Sequence, residues 1–146
     1  MPKITPFLWF DGPLDEPIAY YRSIFKDFRV LSQSPTSASF EIEGQRFLAL
    51  NGGPHYEFNE AVSFLIDCDD QAEVDYYWER LTADGGAESM CGWLKDKYGL
   101  SWQVIPKALM RYLGDPDRAK ADRVTQAMLR MQKIDVATLD RAAAAG

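Results

Sequence analysis

The chain holds one histidine, His55, and two cysteines, Cys68 and Cys91. A nucleophile and its general base are built from these residue types, so a Cys–His pair of His55 with Cys91 or Cys68 is the first chemistry to weigh. Against it stands the ordinary role of cysteine as a small buried residue. Cys91 is the stronger candidate, because it abuts Gly92-Trp93. His55 lies in the loop Asn51-Gly52-Gly53-Pro54-His55. There it meets a ligand, bonds a loop carbonyl or covers Phe58. Methyl transfer of the common type needs a glycine-rich loop after a strand of a Rossmann sheet. No Gly-x-Gly-x-x-Gly follows a strand here, and the proline after Gly52-Gly53 reads as a turn.

The elements that must position these groups follow from composition and period. The 146 residues are 47% hydrophobic, 13% aromatic and 26% charged, the profile of one globular domain with a full core. The net charge is −6 and the pI about 4.7, which disfavours nucleic acid as a partner. The basic residues Lys120, Arg123 and Arg130 are interleaved with apolar positions and read as a solvated helix face. Two thiols make no disulfide framework. The short run Phe7-Leu8-Trp9-Phe10 is neither a signal peptide nor a membrane span, so the expected location is the cytoplasm.

A buried strand is expected over residues 4–10, stopped by Asp11-Gly12-Pro13. A helix follows over 15–26, with Asp15 as its N-cap, Pro17 in its first turn and Ile18, Tyr21 and Phe25 on its inner stripe. Strands are predicted over 28–33, 37–43 and 47–50. In the second of these, Ala38, Phe40 and Ile42 alternate with Ser39, Glu41 and Glu43. After a loop over 51–60 the pattern restarts. A strand over 62–66 leads to a capping box, Asp70-Gln71-Ala72-Glu73, and a helix to Ala83. Short strands are expected over 87–90, 92–97 and 100–105.

The two halves overlay. Phe7-Leu8 matches Phe64-Leu65, Tyr20-Tyr21 matches Tyr76-Tyr77, and Gly44 and Phe47 match Gly99 and Trp102, with offsets drifting only from 57 to 55. This reads as a duplicated β-α-β-β-β unit. Module one covers about 4–51 and module two about 62–106. A helical tail over 107–146, with helices near 108–113, 117–132 and 135–145, lies outside the repeat. Its apolar stripe packs on its own domain or on a second subunit.

Five ordered segments carry a family resemblance: residues 4–12, 49–61, 67–75, Cys91-Gly92-Trp93-Leu94-Lys95-Asp96, and Tyr98-Gly99-Leu100-Ser101-Trp102-Gln103. Together they resemble the PhnB-like family of the vicinal oxygen chelate superfamily, relatives of glyoxalase and bleomycin-resistance proteins. That family has carried the label 3-demethylubiquinone-9 3-methyltransferase. The resemblance extends into the tail as far as Lys133-Ile134-Asp135, while residues 31–39 form a shorter connection than the family's.

The resemblance implies an α+β fold of two βαβββ modules, each curving into a half-barrel sheet, with a C-terminal helical extension and a homodimeric assembly. Superfamily enzymes take His and Glu metal ligands from the first and last strands of each module. Here those strands offer Phe7 to Phe10, Asn51, Ser63 and Gln103, with Gln103 where the superfamily's glutamate would stand. A His/Glu metal site is therefore not expected, and no cofactor is. With the implied curvature, Trp9, Asn51, His55, Ser63, Trp93, Trp102 and Gln103 would line a largely apolar cleft with neutral hydrogen-bonding groups. The expected function is metal-independent binding of an apolar or aromatic small molecule. The alternative is an enzyme using the same cleft, with His55 or Cys91 in the chemistry.

Overall fold

Alternation of apolar and polar side chains writes the inner rows of the first sheet. The computed structural model describes residues 3–146. Its first sheet holds β1 (Phe7–Phe10), β2 (Phe28–Gln33), β3 (Ser37–Ile42) and β4 (Gln45–Asn51), in the order β1-β4-β3-β2. The β1–β4 pair is parallel and the others antiparallel. Helix α1 (Asp15–Ile24) joins β1 to β2. Its buried residues Ile18, Tyr21 and Ile24 share the core with Leu8, Phe10, Phe40, Phe47 and Ala49. Phe28, Phe40 and Phe47 stack in sequence at centroid spacings of 5.4 and 5.9 Å. Burying a side chain such as Phe40 stabilises the fold by about 1.5–3 kcal/mol.

The second sheet repeats this plan with β5 (Ser63–Cys68), β6 (Ala87–Glu88), β7 (Trp93–Lys95) and β8 (Ser101–Pro106), in the order β5-β8-β7-β6. Helix α2 (Gln71–Thr82) crosses between β5 and β6 and buries Val74, Tyr77, Trp78 and Leu81. Its predicted capping box forms. The Asp70 carboxylate accepts from the Glu73 amide, and Glu73 reaches back to the Asp69 amide, one residue before the expected partner.

The first strand begins at Phe7 rather than Ile4, and both of those side chains are exposed. Three further expectations change. Asp15 is the first helical residue of α1, and Leu14 occupies the N-cap without a side-chain bond. Ser39, predicted to face outward, is buried. The overlay of Phe7-Leu8 on Phe64-Leu65 is one residue out of register. Phe7 pairs with Leu48, and in the second sheet Leu65 pairs with Gln103. Leu48 and Gln103 correspond through the Phe47–Trp102 match, so the counterpart of Phe7 is Leu65. A one-residue slip exchanges the two faces of a strand, and aromatic identity alone does not report it.

The chain divides into two compact units, one ending at Phe58 and the other running Asn59–Gly146. The tail belongs to the second. Its helices α3 (Lys107–Leu113), α4 (Arg118–Met128) and α5 (Val136–Ala144) close around Leu109, Val124, Ile134 and Leu139, together with Ile105 of β8. The stripe seen in the sequence thus packs on its own domain. Gln71 of α2 clamps the tail backbone, accepting from the Val136 amide at 2.7 Å and donating to the Ile134 carbonyl at 3.0 Å.

Candidate functional site

In the first unit, Trp9 and Asn51 anchor the loop that carries His55. The Trp9 indole donates to the Gly53 carbonyl at 2.9 Å, and the Tyr56 ring meets it edge-on at 4.9 Å. Gly52 lies flat against the same indole: a Cβ there would fall 2.3 Å from Trp9 ring carbons. Asn51 uses its side-chain oxygen to accept from the Gly12 amide at 2.9 Å. It also lines a groove of about 690 Å³ with Pro13, Leu14, Asp15, Gln33, Ser34 and Pro35. His55 itself is exposed on the loop. Trp9 and Asn51 therefore hold the loop's shape, and His55 stands at its surface.

In the second unit the register builds a polar face. Ser63, Ser101, Lys95 and Ala87 lie side by side across the four strands, and Leu65, Gln103 and Trp93 form the adjacent row. Gln103 donates its side-chain amide to the Ser63 hydroxyl at 3.0 Å. Trp93, half-buried, stands next to Gln103. Three of the expected lining residues thus come together on one face.

Trp102 goes to the other face. It is 4% exposed, packs on Phe64 at 5.7 Å and donates its indole N–H to Asp96 at 2.9 Å. The reason is the period of two: with Gln103 on the open face, its neighbour must point at α2. Asp96 is a residue that sequence reasoning passed over. Its carboxylate, 2% exposed, also accepts from the Tyr98 and Leu100 amides and so shapes the β7–β8 turn. A signal for it existed in the spacing Asp96-Lys97-Tyr98-Gly99, an aspartate heading a glycine turn.

The thiols part company. Cys68 is fully buried, and its pKa is pushed up to about 12, by burial first and then by the carboxylates of Glu73 and Asp67. A thiol so held is inert as a nucleophile. Cys91 is half-buried in a turn with φ of 59°, followed by Gly92 at 84°. Their amides donate to the Met131 and Gln132 carbonyls of the tail, each at 2.8 Å. A Cβ on Gly92 would lie 2.9 Å from Ile105 and 3.1 Å from Ile134. The Cys91-Gly92 turn is thus a backbone joint between tail and sheet that sets the position of Trp93.

Where the superfamily's glutamate would stand, the side chain is the neutral amide of Gln103. Gln103 turns its amide nitrogen, a donor, toward Ser63. Among the described residues, no three His, Cys, Asp or Glu side chains gather closely enough to hold a metal.

Paired four-stranded sheets of β-α-β-β-β topology define the glyoxalase/bleomycin-resistance class, the vicinal oxygen chelate superfamily. A family model described as 3-demethylubiquinone-9 3-methyltransferase matches residues 2–105, and the chain belongs to that PhnB-like family. A PhnB protein from Bacillus cereus is 29% identical with a TM-score of 0.65, covering 72% of this chain and 99% of its own. The fosfomycin resistance protein FosX from Listeria monocytogenes, crystallised with Mn(II) and sulfate, is 17% identical with a TM-score of 0.58, covering 77% and 96%. A glyoxalase-related enzyme from Fulvimarina pelagi is 13% identical with a TM-score of 0.53, covering 74% and 91%. At those last two identities the likeness is one of fold. No curated protein matches the sequence. The family model's match ends at residue 105, before the tail helices.

Proposed function

We propose that this chain is a small-molecule-binding protein that holds an apolar or aromatic ligand on the open face of its second sheet, without a metal ion, as a sequestering or sensing module. The observation that carries this reading is the Gln103–Ser63 hydrogen bond beside Trp93. Neutral groups and an aromatic wall recognise shape and hydrogen bonding, and they include no acid–base pair tuned to move a proton. The family's methyltransferase description does not enter the reading, because neither four-stranded mixed sheet is of the Rossmann type.

The test is native mass spectrometry of protein purified without chelator, with elemental analysis of the same sample. A bound organic molecule and no stoichiometric metal is the expected result. One divalent ion per chain supporting turnover would overturn it.

The reading also takes the chain as a cytoplasmic homodimer. Among the described residues no helix is long and apolar enough to cross a membrane. Exposed Phe7 and Leu65 lie on β1 and β5, strands at the ends of their sheets, where a second chain can cover them. Light scattering should return twice the 16.6 kDa of the chain.

A further inference from the structure

Beside the Gln103–Ser63 pair, the second sheet opens a cleft of about 240 Å³ whose chemistry is not neutral. Trp93, Leu94 and Ala87 form its apolar walls, and Lys95, Glu60, Glu88, Ser89 and Ser101 its polar lining. Ser101 is 1% exposed, and its hydroxyl has no hydrogen-bond partner among the described residues. A buried hydroxyl left unpaired is costly, and native folds rarely keep one without use. Lys95 sits directly across from Ser101 in the β7–β8 register, so an ammonium and a hydroxyl donor adjoin the same space.

The ammonium already holds a carboxylate. Lys95 pairs with Glu60, which lies three residues before β5 and is 61% exposed. The pairing keeps the Glu60 carboxyl below its ordinary range, chiefly through the Lys95 hydrogen bond. Glu60 reaches Lys95 but not Ser101. Glu88, the other acid in the lining, is committed to the Trp78 indole N–H at 2.5 Å.

We propose that this cleft is a carboxylate subsite. A compact molecule with a planar apolar body and one carboxylate lies against Trp93, displaces Glu60 from Lys95 and takes a second hydrogen bond from the Ser101 hydroxyl. Glu60 is the resident competitor: it keeps Lys95 paired when the cleft is empty and returns to water when a ligand arrives. The proposal rests on the reading of this face as a small-molecule site and adds the charge and the anchor.

The probes are benzoate and the nearly isosteric, uncharged benzamide, titrated against tryptophan fluorescence, with Trp93→Phe assigning the signal. Benzoate should bind at least tenfold tighter than benzamide. Lys95→Met should abolish that preference. Ser101→Ala should weaken benzoate severalfold while leaving the melting temperature equal or higher. Glu60→Gln should tighten benzoate, because the competitor is gone. Equal binding of the two probes, or no benzoate binding, overturns the carboxylate subsite. So does weaker binding in Glu60→Gln. Equal binding still leaves a small-molecule face, and a co-purified neutral ligand would separate the two failures.

Discussion

Asp96 shows how much one side chain can hold. Its carboxylate accepts from the Trp102 indole and from two turn amides inside a buried pocket. Asp96→Ala leaves those donors without acceptors, at about 1–3 kcal/mol each before relaxation. A loss of about 3 kcal/mol in urea unfolding is expected, and a loss under 1 kcal/mol would show that water replaces the carboxylate. Cys68 acts by exclusion. Its thiol titrates near 12 in the fold against an ordinary value of 9.0, so the folded state keeps the proton longer. Its contribution to stability is full below pH 9 and is lost as pH rises through 9 toward 12. Tyr112 and Lys107, both raised from ordinary values of 10.0 and 10.5, add the same sign at higher pH. The window from pH 9 to 10 therefore belongs to the thiol. Cys68→Ala should flatten the stability curve there, and an unchanged slope would remove the thiol as its source.

At the scale of elements, the turn between β6 and β7 matters most. Cys91 is a non-glycine residue in the left-handed region, a conformation that costs about 1–2 kcal/mol and is held by two hydrogen bonds to the tail. Gly92 is required there for both its φ and its lack of a Cβ. Gly92→Ala should cost about 2–4 kcal/mol, through strain and overlap with Ile105 and Ile134. It should also shift tryptophan emission, because Trp93 follows directly. A variant with wild-type stability and emission would show that the joint does not position Trp93.

For the whole molecule, the tail is the part that the family model does not cover. It still supplies most of one apolar cluster, with Ile105 of β8 as the contribution of the sheet. Ending the chain after Pro106 strips Ile105 of its cover and leaves the Cys91 and Gly92 amides without their acceptors. The shortened protein should aggregate or lose cooperative unfolding. A soluble, cooperative product of unchanged second-sheet stability would make the tail an appendage.

The duplicated β-α-β-β-β order, the α2 capping box and the helices of the tail were legible from the chain because each rests on local signals: period, capping residues and glycine stops. That Ser63, Trp93 and Gln103 would share one face was legible because they sit on strands whose order the repeat sets. Other features depended on which face each strand turns to its helix, and only tertiary structure decides that. Trp102 and Gln103 are neighbours in sequence, yet packing against α2 sends one to the core and leaves the other on the open face. The buried Ser101 hydroxyl and the Lys95–Glu60 pair were invisible for the same reason. Each is defined by residues that become neighbours only when β7 and β8 pair and the segment before β5 folds back over them.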